Sequence, residues 1–510
     1  MSNFKQKVGA FIKGEKLSSS VLTAIIIGLV IVFNIIVFVL DSYFGWFIFK
    51  PESGEIEISG STDAYFRSAI EEGRKVEIAF CRAEDEVMAN TAGRFVLETA
   101  KQLAERYPDF IELEFINIIR QVNSKGEAVN LSDYQETGTD GNKIPLLKSS
   151  VVFKSGENVR AVTDGYSSTG YSSFYTLDSS GNAYAYNGEE IMASMVMWVL
   201  NSQHKTAYFT SFHGETADYG LRNMLVCAGY NVDTIDLRSN DIPYDETGLI
   251  VISNPVKDFE RAMEGSNVVT EIERLREYVQ NGGKLYIALD PYGDELPVLE
   301  AFIAEFGIEI STAEVAGKDI RSIVRDGDNA ITADFYTLVA NCADTVIGNK
   351  ILNSIRAYNS VDVIVRESAV LELDESLGAE PLLLTSPSAE LYAAGSRVGE
   401  RGKYCVAALS NYENEEGAVG SIVVTPSVFI TATDALTSGG YANREFVYSM
   451  LEQIFDSGKP PYGCNTVFYT EDVLENLTMG TARVYTVVLM MIPVAIAALG
   501  VFVTVRRKNR

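Results

Sequence analysis

The chain has 510 residues, 47% of them hydrophobic, and a net charge of −27. An acidic balance of this size argues against nucleic-acid binding, because phosphates demand Lys/Arg clusters, and with only two histidines, metal chemistry built on imidazole is close to excluded. There is no Walker A sequence, so any ATPase must come from a partner.

Residues 1–20 carry Lys5, Lys7, Lys13 and Lys16 and precede the apolar run Val21 to Leu40. Near the other end, Val484 to Val505 is a second apolar run, followed by Arg506, Arg507, Lys508 and Arg510. Each run can cross a hydrocarbon core of about 30 Å at about 1.5 Å of helical rise per residue. The basic flanks place both termini, 1–20 and 506–510, in the cytoplasm. The first run is too long for a signal peptide and leads into an aromatic belt (Tyr43, Phe44, Trp46, Phe47), so it is read as an uncleaved anchor. Everything between the runs is then extracytoplasmic, with 34 basic against 68 acidic residues. That excess is read as a solubility device that keeps the body off anionic lipid.

The span 41–203 opens with a strand at Val76 (VEIAF), an amphipathic helical stretch from Phe95 to Tyr107 and a strand from Ile111 to Ile118. Strand, helix, strand with the helix bridging is a βαβ unit with a parallel pair. Ser149 to Lys154 and Asn158 to Val162 read as a hairpin. Together these suggest a thioredoxin-like α/β layer. Its Cys81-Arg82 start has no second cysteine nearby, which removes redox exchange. Tyr166 to Tyr186 reads as loop and edge strand, and Glu189 to Leu200 as an apolar helix packed between the two halves, with Trp198 a buried anchor.

The span 204–480 is the clearest part of the chain. Thr206 to Phe212 is a strand ending at His213-Gly214-Glu215, and Thr216 to Ala228 is predicted helical. Asn231 to Leu237, Gly248 to Ser253 and Lys284 to Leu289 are strands, with a helix over Thr270 to Gln280 and a strand end at Asp290-Pro291. This is a doubly wound order in which the loops at the strand C-termini share one edge. Lys403 to Ser410 and Ser421 to Thr425 return to complete the central sheet, which leaves 311–400 as a less legible insertion with strands expected at Val361 to Arg366 and Pro381 to Thr385. Asn443 and Arg444 open a last helix, where Asn443 is expected to cap.

These residues also resemble a known family. Tyr208-Phe-Thr-Ser-Phe-His213-Gly214-Glu215, Leu249-Ile-Val-Ile-Ser-Asn254-Pro255, Gly282-Gly283-Lys284-Leu285 with Leu289-Asp290-Pro291, Phe306-Gly307-Ile308, Pro381-Leu-Leu-Leu-Thr385-Ser386 and Asn443-Arg444-Glu445-Phe446 resemble the auxiliary subunits of ABC transport systems of the gliding-motility GldG type. The resemblance implies a class I amidotransferase-like α/β ectodomain without a demonstrated catalytic site, carried beside an ABC permease and an ATPase. The family commonly has Gly before the His where this chain has Phe212, which argues against a left-handed turn there.

His213, Glu215 and Asp290 follow strands directly, so they form the candidate ligand or partner crevice. Read as catalysis, they are an acid/base set; read as structure, Glu215 starts a helix while His213 and Asp290 bond loop backbone. The structural reading is adopted, with no catalytic residue, metal or cofactor expected. An amidotransferase-like elbow needs Cys or Ser on a sharp strand-to-helix turn, and neither Cys227, read as mid-helix, nor Cys405, read as mid-strand, fits one. The chain is therefore expected to be a non-enzymatic, membrane-anchored accessory subunit of an ABC-type transport system. The alternative is a membrane-tethered hydrolase with a degenerate amidotransferase-like site.

Overall fold

A computed structural model describes residues 56–468, apart from 139–140, 166–172, 178–182, 262–268, 333–334, 359 and 439. The two runs expected to span the membrane, 21–40 and 484–505, and their basic flanks lie outside the described residues. No helix among the described residues is long and apolar enough to cross a membrane.

The apolar VEIAF run forms β1 (Val76–Phe80) and pairs in parallel with β2 (Ile111–Asn117). Two helices precede the bridging one: α1 (Gly60–Glu71) and the short α2 (Glu84–Met88). The bridge is α3 (Thr91–Arg106), whose Asn90 cap accepts the Gly93 N–H at 2.9 Å. Its Val96, Leu97, Ala100 and Leu103 recur at helical spacing and are all buried. The expected hairpin is β4 (Ser150–Ser155) and β5 (Asn158–Thr163), which turns at Gly156 with φ +61°. With β3 (Val122–Asn123) the sheet order is β3-β2-β1-β4-β5, with β4 antiparallel to β1. The stretch before residue 187 supplies β6 (Tyr175–Leu177) and β7 (Ala183–Tyr186), and β7 also pairs with β24 (Val467–Phe468).

Five strands of the second sheet are mutually parallel. They are β8 (Thr206–Thr210), β9 (Asn231–Ile235), β10 (Thr247–Ser253), β11 (Lys284–Ala288) and β23 (Val419–Thr425), in the order β9-β8-β10-β11-β23. The chain leaves β8 for β9 on one side and reaches β10 on the other, so the sheet's switch point lies at the C-terminal ends of β8 and β10. Helix α5 (Tyr219–Cys227) is shorter than expected. It begins at Asp218, whose Oδ1 accepts the Leu221 N–H at 2.9 Å, so Glu215 sits in the preceding loop and starts no helix. Helix α6 (Glu271–Gln280) opens on a capping box between Thr270 and Glu273, worth about 1 kcal/mol.

Both faces of this sheet are covered. Ile272, Leu275 and Val279 of α6, with Leu299 and Phe302 of α7 (Pro297–Ala304), pack on Ile250, Ile252, Leu285, Ile287 and Val424. On the opposite face Leu221 and Leu225 of α5 join Phe446 and Val447 of α10 (Asn443–Gln453) over Phe209, Val251 and Tyr286. Helix α4 (Gly188–Leu200) lies between the layers, touching α1, α3, β1, β4 and β5 on one side and α5 on the other. Trp198 near its end is only half-buried.

The span 311–400 is not a separate body. Its β16 (Thr337–Cys342), β17 (Val363–Arg366) and β19 (Ala379–Thr385) extend the same sheet in the order β17-β16-β19-β22-β23, antiparallel throughout, through β22 (Cys405–Glu413). The short β12 (Ile308–Ile310) and β18 (Leu371–Leu373) pair beside β22, and the hairpin β13 (Thr312–Val315) with β14 (Lys318–Arg321) stands off the sheet. A third group, β15 (Ile323–Arg325), β20 (Glu390–Ala393) and β21 (Ser396–Arg397), forms its own small sheet. Helix α8 (Val346–Ile355) packs on α10.

Asn443 does not cap its helix. The N-cap is Ala442, and the fully buried Asn443 side chain accepts the Ile364 N–H at 2.8 Å while donating to the carbonyls of Ile364 (2.9 Å) and Ile430 (3.2 Å). One amide thus closes the open side of edge strand β17, where unpaired backbone would invite another strand.

Candidate functional site

The strand-end motif builds its site at the switch point. After β8 the backbone turns left-handed at Phe212 (φ +83°) and Gly214 (φ +75°), against the expectation raised by a Phe at that position. The turn survives because the Phe212 ring needs no room inside. It is 60% exposed and lies 3.7 Å from the Arg238 guanidinium carbon, while Arg238 forks onto Asp236 at 3.0 and 3.1 Å. A bulky residue in this backbone region costs about 1–2 kcal/mol. The two turns direct His213 inward, and its carbonyl accepts the N–H groups of Val256 and Lys257, both at 2.8 Å, from the segment after β10.

The imidazole is 4% exposed and stacks on Phe259, with ring centres 4.1 Å apart. Its Nδ1 meets Glu215 Oε1 and its Nε2 meets Glu271 Oε2, each at 3.2 Å, while the His213 backbone N–H donates to Glu215 Oε2 at 2.8 Å. Burial by itself would lower the His213 pKa. The hydrogen bonds to both carboxylates, with their charges, outweigh it and raise the value to about 9. Burial likewise opposes ionisation of Glu215, but the bonds from His213 hold its carboxyl below the usual range. At neutral pH the ring is an imidazolium with both N–H groups committed to carboxylates. Glu271 Oε1 is buried with no hydrogen-bond partner among the described residues.

Of the three candidate residues, the structure joins His213 and Glu215. Asp290 lies apart: its Oδ1 accepts the Tyr292 N–H at 2.9 Å, and its carbonyl takes a bond from Arg321 of β14 at 3.1 Å. Arg321 also binds the carbonyls of Gly293 and Asp294 and the Glu300 carboxylate, so the loop after β11 is pinned from within. No hydrogen bond or ion pair links Asp290 to His213. The partner that sequence reasoning missed is Glu271. In a parallel sheet a crossover helix begins at the C-terminal edge of the strand before it, so a Glu opening the helix after β10 lies on the same edge as the His after β8. That topology was the available signal.

The thiols offer no nucleophile. Cys227 is the last residue of α5 and Cys405 the first of β22; both are buried, and burial pushes each thiol up to about 12, as it does Cys81. All five cysteines are free. Reactive cysteines instead have depressed values in electropositive, accessible settings. No group of three or more His, Cys, Asp or Glu side chains that could hold a metal occurs among the described residues.

No family model matches the chain, and no curated protein matches it. Among solved structures, the mmIFT52 N-terminal domain is 16% identical over half of this chain and 98% of its own, with a TM-score of 0.36. PurLQS from Thermotoga maritima is 10% identical over 49% of this chain and 99% of its own, at 0.26. A glutamine amidotransferase from the same organism is 8% identical over 50% and 85%, at 0.24. At these scores the likenesses carry no conclusion about activity.

Proposed function

We propose that this chain is a non-enzymatic, membrane-anchored accessory subunit of an ABC-type transport system, GldG-like in organisation. On this reading the body combines a thioredoxin-like layer with an amidotransferase-like sheet. Helices at 21–40 and 484–505 hold it on the outer face of the cell membrane with both termini cytoplasmic, beside a permease and an ATPase.

The observation that carries the non-enzymatic part of the reading is the commitment of both His213 nitrogens to buried carboxylates. A general base needs a free ring nitrogen within reach of substrate, at a pKa near the working pH. An imidazolium held to about 9 between Glu215 and Glu271 meets neither need. What the switch point offers outward is contact surface: Phe212 and Val256 are 60% and 54% exposed there. The sequence adds its support through two apolar runs with basic flanks and the resemblance quoted above.

Purification of the full-length chain in mild detergent tests the assignment. A multi-span permease and a Walker A protein should accompany it. Recovery of the chain alone, under conditions that keep other ABC complexes intact, would overturn the proposal.

A further inference from the structure

The second sheet ends in two edge strands that the chain treats differently. At one edge the Asn443 amide closes β17. At the other, β9 pairs only with β8, in parallel. The Asn231 N–H donates to the Lys205 carbonyl at 2.9 Å, and the Ile235 carbonyl accepts the Ser211 N–H at 3.1 Å. Residues 231, 233 and 235 therefore turn their backbone groups toward β8, while Val232 and Thr234 turn theirs outward. The Thr234 N–H is taken by Asp233 Oδ1 at 2.8 Å. No group among the described residues takes up the outward N–H and C=O of Val232 or the C=O of Thr234.

This edge lines a cleft of about 860 Å³ between the two layers, to which the first sheet contributes Val159 and Arg160 of its own edge strand β5. Unpaired strand backbone in a cleft is a template for an added strand. The charge of the cleft names the kind of strand. Glu136, Glu157, Asp233 and Glu246 line it with Lys143 and Arg160, four carboxylates against two cations. Arg160 is bound to Glu136 at 2.7 Å, and Lys143 donates to the Gln135 carbonyl at 2.9 Å. Glu157, Asp233 and Glu246 have no ion pair among the described residues. An acid on an edge strand also guards against chance pairing, but Asp233 covers one N–H only, and Glu157 and Glu246 lie off the strand. A second copy is the poorer occupant, because pairing β9 with itself about a two-fold axis sets Asp233 near its own mate.

We propose that β9 is a docking edge for an extended, lysine- or arginine-bearing segment of a partner protein, which adds as a strand beside Val232 with its cations toward Glu157, Asp233 and Glu246. Backbone bonding supplies the pairing, and the carboxylates select against acidic chains. The docking edge is independent of the transport assignment, since a partner outside any transport complex would use it equally.

The probe is a fluorescent peptide of about eight residues alternating Lys and Thr, long enough to pair with a strand of ordinary length. Titrated into the full-length chain in mild detergent, it should bind saturably, more weakly at about 0.5 M salt. Amide exchange should slow in 231–235 and stay unchanged in β17. A peptide alternating Glu and Thr should not bind. Val232→Pro removes the outward N–H without breaking a bond to β8, and should weaken binding about tenfold or more. Asp233→Asn combined with Glu246→Gln should weaken it comparably, which keeps the test open should Val232→Pro fold poorly. No saturable binding in the parent, or unchanged binding in either folded variant, would overturn the docking edge. Self-association of the parent that Val232→Pro abolishes would overturn the basic partner in favour of a second copy.

Discussion

The two histidines flank one strand, β8, and their surroundings drive them in opposite directions. His213, after the strand, is buried between two carboxylates and raised to about 9. His204, before it, is half-buried with a carbonyl at each ring nitrogen, and its value is lowered, by burial first and by Arg160 in addition. Burial acts on both in the same direction, so depth does not decide the outcome. Neighbouring formal charge does, because a carboxylate stabilises imidazolium far more than a carbonyl dipole can. The strand thus carries an imidazole raised to about 9 at one end and one with a lowered value at the other.

The comparison breaks most visibly at His213. His213→Ala leaves Glu215 and Glu271 facing each other without a counter-charge, and should cost about 3–5 kcal/mol in denaturant unfolding of the full-length chain. Function should fall only as folded protein falls. Loss of function with unchanged unfolding would restore a catalytic role. Adding Glu271→Gln should recover part of the stability, since it removes the stranded charge.

Asn443→Ala probes polar satisfaction without charge. It orphans the N–H and C=O of Ile364 and one bond to Ile430, for an expected cost of about 2–4 kcal/mol in the same assay. A cost below about 1 kcal/mol would mean that water replaces the amide and that the β17 edge is less closed than described.

The pH profile sharpens the contrast. The His213 contribution to stability is fully present below about 6.5 and is lost as pH rises through about 9. The parent should therefore become less stable between about pH 6.5 and about pH 9, with a component that His213→Gln lacks. An identical alkaline slope in both would contradict the raised value.

The smallest effect is expected at Phe212. Phe212→Gly relieves the left-handed strain but forfeits the Arg238 stack and adds chain entropy to the unfolded state, for a net stabilisation within about 1 kcal/mol. Clear destabilisation would show that the ring packs more than its exposure implies.

The sheet core was legible from sequence because its signals are local. Apolar runs with Gly before them and Asn-Pro or Asp-Pro after them mark β10 and β11, and the Thr270 to Gln280 helix carries its own start and stop. The His213 pocket was half legible. The H-G-E motif names two members, but Glu271 stands 58 residues away from His213 and reads as an ordinary first-turn acid. Asp290 shares a strand edge with His213, yet its carboxylate satisfies its own turn. Asn443 misled for a related reason: a polar residue at a helix start looks like a cap until the fold brings an edge strand against it. Within 311–400 the runs Val361 to Arg366 and Pro381 to Thr385 read as strands and are β17 and β19, whereas β18, with three residues, is too short for a periodic pattern.

The protonation state of His213 tests the account most directly. With histidine alone labelled with nitrogen-15 in the full-length chain, two ring systems report, and His204→Phe assigns them. At pH about 7.5 the account predicts that His213 carries protons on both nitrogens and titrates near 9. A neutral His213 ring at that pH, with one unprotonated nitrogen, would contradict the carboxylate clamp and return the residue to candidacy as a base.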